Sequence, residues 1–315
     1  MRVFVAGATG ALGRHLAPRL VAAGHDVVGM TRTPEKAAAV AEMGASPIVA
    51  DALDADAVGA AVGEARPEVI VHQLTALSRS INLRHLDRDF ALTNRLRTEG
   101  TDHLLAAARA AGTRRFIAQS FAGWPFARTG GPVKGEDAPL DPNPPAAMRA
   151  THAAIRHLEA AVTGADWLDG LVLRYGGFYG PGTTISTRPL GEHVALVRDR
   201  KFPVVGRGTG LTSLIHIDDA AAATALAVER GAPGLYNVVD DEPAAAAAWV
   251  PGLASAVGAK RPWRVPRWVG RLAAGGAAVV MMTEARGASN AQAKRELGWT
   301  PRYPSWREGF AQGLG

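Results

Sequence analysis

Three glycines set the terms on which this chain can fold. The opening segment Met1-Arg-Val-Phe-Val-Ala-Gly-Ala-Thr-Gly-Ala-Leu-Gly-Arg14 places Gly7, Gly10 and Gly13 between an apolar run and a helix-forming stretch. Gly7 permits a tight turn, and Gly10 lets the backbone approach a phosphate with no Cβ in the way. Gly13 lets a helix starting near Ala11 pack closely on the strand Val3-Phe4-Val5. A helix N-terminus at this point offers unpaired N–H groups and the positive end of a dipole. The spacing therefore predicts a cradle for the pyrophosphate of a dinucleotide, formed by Gly7, Thr9, Gly10, Ala11, Leu12 and Gly13. A glycine triplet alone is a weak signal; here a second strand, His25-Asp-Val-Val-Gly-Met30, follows at the spacing a nucleotide-binding unit needs.

From residue 1 to about 178 short β-rich runs alternate with Ala-rich helical stretches, the pattern of an α/β Rossmann-type doubly wound parallel sheet covered on both faces. Strands are expected at 2–6, 26–30, 47–50, 68–72, 115–119 and 170–174, with helices near 11–23, 34–43, 54–64, 88–111 and 146–163. Pro and Gly crowd into 123–145, which reads as a long loop over the carboxyl edge of the sheet. Beyond Tyr179-Gly-Pro-Gly182 the regularity decays. The expected organisation is a dinucleotide-binding domain over 1–178 and a smaller interleaved C-terminal substrate-binding domain over most of 179–315. Returning sheet elements are expected at 213–217 and 235–238, and helices at 220–230, 244–257 and 266–282.

The sequence has no cysteine, which removes disulfides, thiolate catalysis and Cys-ligated metals; no His/Asp/Glu cluster has metal-site spacing either. Its net charge of +6 comes from scattered pairs such as Arg114-Arg115, so nucleic acid is not an expected partner. The longest apolar stretch, Leu272 to Met282, lies between Arg271 and Glu284 and is shorter than the roughly 20 residues of a membrane span. A basic n-region with an apolar h-region is not visible at the N-terminus, and the expected location is cytoplasmic.

At this point the chain resembles the extended and atypical short-chain dehydrogenase/reductase superfamily, in its NAD-dependent epimerase/dehydratase group. Besides the glycines, the resemblance rests on Asp51, Val71-His-Gln-Leu-Thr75, Asn94, Phe116-Ile-Ala-Gln-Ser120, Leu173-Arg-Tyr-Gly-Gly-Phe-Tyr-Gly-Pro-Gly182, Ile215-His-Ile-Asp-Asp-Ala220, Leu235-Tyr-Asn-Val238 and Leu297-Gly-Trp-Thr-Pro301. It implies that Ala8 to Leu12 line the pyrophosphate, that Asp51 and Ala52 meet the adenine, and that Leu74 and Thr75 flank the cofactor ribose and phosphates. It further implies a position near the sheet edge for Asn94, and Tyr175 to Phe178 beside the nicotinamide. Relatives commonly form homodimers, and the substrate class implied is a small molecule.

Cofactor choice follows from charge. NAD binders carry an acid at the end of the second strand for the ribose hydroxyls, whereas a 2′-phosphate is repelled by that acid and favours a guanidinium. Here Thr31 stands where the acid would be and Arg32 follows, which predicts NADP(H) in preference to NAD(H). Arg14 is either a second contact or an ordinary exposed helix arginine.

The superfamily normally moves its proton with a Tyr-x-x-x-Lys pair on one helix face, and this chain has no such pair. Aligned on Glu159, the tyrosine position holds Thr151 and the lysine position Ile155. The candidate catalytic residues are therefore Ser120, which in the family bonds a substrate oxygen, together with Thr151, His152 and Tyr175; Tyr179 is a further proton-donor candidate. The alternative for His152 is a packing histidine, and for the two tyrosines an aromatic wall. Trp124 and Tyr179 are the expected substrate contacts, and Asp218 with Asp219 are expected to cap a helix starting at Ala220. Three functions remain open on these residues: an NADP(H)-dependent oxidoreductase without the usual relay, a non-redox isomerase, cyclase or dehydratase, and a cofactor-binding protein without turnover.

Overall fold

The computed structural model describes residues 1–77 and 81–315. Seven strands form the central sheet: β1 (Arg2–Ala6), β2 (Asp26–Thr31), β3 (Ser46–Val49), β4 (Val69–His72), β5 (Arg115–Phe121), β6 (Asp169–Tyr175) and β7 (Gly234–Val238). They lie in the order β3-β2-β1-β4-β5-β6-β7, and every pairing is parallel. This is the doubly wound Rossmann architecture. The order reverses between β1 and β4, and such a sheet receives its ligand in the crevice outside the carboxyl ends of those two strands.

Alternation of side chains along the strands feeds two cores. Val3, Val5, Val69, Val71, Ile117, Leu171 and Leu173 join one buried cluster with residues of the helices Gly13–Ala22 and Ile217–Glu229. Phe4, Ala6, Ile70, Phe116, Ala118 and Val172 join the other with residues of Ala55–Ala65 and Glu99–Ala111. Strands buried on both faces in this way need apolar residues at consecutive positions, as in Val3 to Ala6, each fully buried. A third cluster, with Tyr179, Val194, Trp249, Leu253, Trp306 and Phe310, gathers elements that follow β6.

Several elements depart from their expected bounds. The first helix starts at Gly13, because Gly7 to Leu12 are used in successive turns. The stretch expected as one helix over 88–111 is broken into Leu86–Asp89, Ala91–Arg97 and Glu99–Ala111. At the second break Thr98 leaves the helical region (φ −96, ψ −84) and its hydroxyl donates to the carbonyl of Asn94 at 3.1 Å. The strand expected at 213–217 shortens to Leu214–His216 and pairs with Gly177–Tyr179 outside the central sheet, whereas 234–238 does join it as β7. The helix Arg267–Thr283 kinks at Gly275, whose φ of 86° is a conformation favouring glycine and whose Cβ would press on the Arg84 backbone.

At Gly13 a Cβ would collide with the carbonyl oxygens of Gly7 and Ala8. Gly13→Ala is expected to lower stability by about 1–3 kcal/mol through backbone displacement. Thermal or denaturant unfolding measures it, and an unchanged midpoint would show that the helix can back away from the strand freely.

Candidate active site

The candidate cofactor cradle lies at the turn between β1 and the first helix. Gly7 has φ 93°, and a Cβ on it would meet the Gln73 carbonyl oxygen at 2.8 Å, so only glycine lets β1 and the segment after β4 approach this closely. The first helix has no side-chain cap, and the amides of Ala11 and Leu12 make no backbone hydrogen bond among the described residues. An uncapped helix N-terminus with open amides behind a glycine turn fits a phosphate group.

The far end of the cradle also fits a dinucleotide. Thr31 is buried and its hydroxyl has no partner, while the adjoining Arg32 is exposed with no hydrogen bond or ion pair among the described residues. Asp51 is exposed and accepts from the Leu53 amide at 3.0 Å; Ala52 is buried below it. Leu74 is half-buried and Thr75 exposed at the crevice, and the Leu74 amide donates to His72 Nδ1 at 3.2 Å. Burial holds His72 neutral, its pKa lowered to about 4, so Nε2 carries the hydrogen toward Thr101 at 3.0 Å.

Thr151, at the first turn of the helix Arg149–Thr163, is fully buried. Its hydroxyl donates to Asp87 Oδ1 at 2.7 Å and accepts from Asn94 Nδ2 at 3.1 Å. Asp87 also accepts from the amides of Ala150 and Thr151 at 2.9 Å each, capping this helix from a neighbouring segment. The position where the superfamily has its tyrosine is thus occupied by a helix-anchoring hydrogen-bond cluster. One turn on, Ile155 is fully buried at the lysine position.

The other proton-transfer candidates are also engaged elsewhere. Ser120 Oγ donates to Glu159 Oε1 at 2.6 Å in a buried cluster, rather than pointing an open hydroxyl toward substrate. His152 is 2% exposed; neither ring nitrogen has a partner, and its ring packs edge-on against Trp124 at 5.4 Å. Desolvation lowers its pKa to about 4, which leaves a neutral imidazole sealed from the crevice. Tyr175 lies in the core with its hydroxyl 2.7 Å from Thr224 Oγ1 and 3.4 Å from Gln73 Nε2, and burial pushes its pKa up. It is an aromatic wall beside Phe178 (5.4 Å), not an available acid.

Two further expectations are corrected. Tyr179 is fully buried in the C-terminal core, against His216 and Phe310, and does not reach a substrate position. Asp218 and Asp219 do not cap their helix, which begins at Ile217 with His216 accepting from the Asp218 amide at 3.1 Å. Asp218 instead pairs with His15 (2.9 Å), and Asp219 accepts from the amides of Arg302 and Tyr303 at 2.7 and 2.9 Å.

Trp124 is half-buried and does stand in an apolar wall. It packs on Phe121 at 5.3 Å and on a cluster of Leu86, Phe90, Met148 and Ala277 with Ile81, Leu83 and Met281. Sequence reasoning missed Phe121, although it follows Ser120 in a strand and must face the opposite side. It also missed Asp87, which carries no motif and acts from 64 positions away. Among the described residues no group of three or more His, Asp or Glu is arranged for a metal, and no helix is long and apolar enough to cross a membrane.

Residues 3–238 match the NAD dependent epimerase/dehydratase family. Over 318 residues, 99% of this chain and all of the relative, the sequence is 46% identical to a Streptomyces sp. protein named 3-diazoavenalumate denitrifying reductase. It is 30% identical over 272 residues, 83% of this chain and 77% of the relative, to a 2-alkyl-3-oxoalkanoate reductase of Stenotrophomonas maltophilia. In fold it is similar to a UDP-glucose 4-epimerase of Thermotoga maritima, crystallised with UDP-glucose, at TM-score 0.77, 22% identity and coverage of 100% and 97% of the two chains. It is likewise similar to the human epimerase family protein SDR39U1 with NADPH, at TM-score 0.75, 20% identity and coverage of 100% and 99%.

Thr151→Val leaves Asp87 and Asn94 short of a buried partner and is expected to cost about 1–3 kcal/mol of stability. Turnover per folded molecule should stay within about threefold, whereas a proton-transferring Thr151 would show a loss of about a hundredfold or more.

Proposed function

Because the chain belongs to the NAD dependent epimerase/dehydratase family, we propose that it is an NADP(H)-dependent reductase that removes nitrogen from a small diazo compound without a proton relay of its own. It is an enzyme of the short-chain dehydrogenase/reductase superfamily, an oxidoreductase acting on a small metabolite. The observation that carries the finer reading is the fate of Thr151, whose hydroxyl is locked between Asp87 and Asn94 with Ile155 one turn on.

Carbonyl reduction builds negative charge on oxygen and profits from a positioned acid. A diazo carbon in its diazonium form does not share that need. When bound, the dinucleotide would supply a hydride; at a diazonium carbon that hydride would replace N2, which would leave with the C–N electron pair, so that the charge would balance with no proton from the protein. The relative that is 46% identical along the whole chain carries a name describing a denitrifying reduction of a diazo compound, which supports this choice of acceptor.

The roles left to the protein are holding, orienting and drying. Gly7, Thr9, Gly10, Ala11, Leu12 and Gly13 would hold the pyrophosphate, and Asp51 and Ala52 would border the adenine. Thr31 and Arg32 would take the 2′-phosphate, and Leu74 and Thr75 the ribose and phosphates. Asn94 would set the sheet edge by fixing Thr151, while Tyr175 and Phe178 would wall the nicotinamide. Phe121 and Trp124, backed by the buried cluster of Leu86 and Met148, would receive the planar substrate and exclude water, which competes for a reactive electrophile.

The test uses NADPH deuterated at its transferable position and an aryl diazonium carboxylate. One N2 should be released per NADPH oxidised, with deuterium on the carbon that bore nitrogen. A product that keeps both nitrogens as a hydrazine, or no NADPH oxidation, would sink the reading. Arg32→Ala should weaken NADPH binding about 10- to 100-fold, the size of a lost charge-assisted contact, and change NADH binding little; equal losses would remove the 2′-phosphate role.

A further inference from the structure

The helix Ala91–Arg97 ends on a cation that the roles above do not use. Arg97 is 4% exposed; its Nη1 is sealed without a hydrogen-bond partner, and no hydrogen bond or ion pair to its other guanidinium nitrogens occurs among the described residues. The carboxylate whose field reaches it, Glu159, already accepts from Arg174 Nε and Nη2 at 2.8 and 2.7 Å and from Ser120 at 2.6 Å. Burial lowers the Arg97 pKa only to about 10, so the group stays charged. A buried charge without a counter-ion destabilises a fold, and its retention points to a ligand.

Its place in the fold says which ligand group. Asn94 and Arg97 lie three residues apart on one helix, and Thr151, Ile155 and Glu159 follow at intervals of four on its neighbour. Asn94 bonds Thr151, and Arg97 lies one turn beyond Asn94 on the same helix while Ile155 lies one turn beyond Thr151 on its neighbour. Thr93, one turn before Arg97, takes the Ala76 amide at 3.0 Å, which turns this face of the helix toward the crevice after β4.

We infer that Arg97 is a ligand-binding cation that gives its free N–H groups to an oxygen at the active centre, either a nicotinamide-side oxygen of the dinucleotide or an oxygen of the substrate. The inference rests on the reductase reading for the identity of these ligands.

Arg97→Met and Arg97→Lys test it, by melting without ligand, calorimetry with NADPH and with adenosine 2′,5′-bisphosphate, and NADPH oxidation with the diazonium probe. R97M should melt no lower than the wild type and bind adenosine 2′,5′-bisphosphate normally. It should lose about tenfold or more, the worth of a charged hydrogen bond, in NADPH affinity if the oxygen is the cofactor's, or in kcat/KM for the probe if it is the substrate's. R97K should recover part of the loss. An R97M protein that melts lower or does not fold, with R97K binding and turning over like the wild type, overturns the inference and makes the cation structural. A wild type that binds NADPH but ignores the probe ends the diazo assignment, while the cofactor arm still decides Arg97.

Discussion

The Glu159 carboxylate is the joint on which the active-site half of the molecule turns. It ties the helix Arg149–Thr163 to β5 through Ser120 and to β6 through both Arg174 contacts, all of them buried. Arg174 reaches on to the Glu136 carbonyl at 3.0 Å, and the Glu136 carboxylate accepts from the Asn237 amide in β7 at 2.9 Å. Three adjacent strands, one helix and the loop above them therefore share a single electrostatic unit. Removing one member would strand a buried charge at a cost of about 3–5 kcal/mol. Because positions 151, 155 and 159 share a helix face, the same joint fixes which way residues 151 and 155 point, whatever their identity.

That independence explains how the proton relay could be lost while the scaffold stayed intact. With the helix held by Glu159, residue 151 is free to serve packing, and here it completes the cap supplied by Asp87. His152, Ser120 and Tyr175 are each drawn into buried contacts as well. On the other side Phe121 and Trp124 pack together as an aromatic pair, while the helix side is held by Asp87 and Glu159. On the proposed reading, such a centre would catalyse by position and by exclusion of water rather than by proton transfer.

How much of this could be read from the sequence depended on the range of the interactions involved. Gly7, Gly10 and Gly13 act within one turn, so their spacing disclosed the fold and the tight turn after β1. The absent Tyr/Lys pair was equally plain, since both positions sit on one short helix. Asp87 capping a helix 64 residues later, or Asp219 holding the amides of Arg302 and Tyr303, depends on tertiary contacts that leave no periodic trace. Ser120 misled because a buried serine and a substrate-facing serine look alike in sequence; only its partner Glu159 distinguishes them. Tyr179 misled for the same reason, its neighbours in space being residues some 37 and 131 positions on, His216 and Phe310.

A centre built this way also narrows what it can reduce. Under the proposed function, an acceptor that must be protonated as it is reduced would have to draw its proton from solvent, whereas Trp124 is backed by the buried apolar cluster of Leu86, Phe90, Met148 and Ala277. An acceptor that carries its own leaving group escapes that requirement, because departure of the leaving group absorbs the electron pair that a carbonyl oxygen would keep. On that proposal, packing and chemistry would select the same class of substrate: planar enough to lie against Phe121 and Trp124, and electrophilic enough to take hydride without an acid. Under the proposed function, the absence of the Tyr/Lys pair would act as a specificity device, since it would remove help from competing carbonyl reductions.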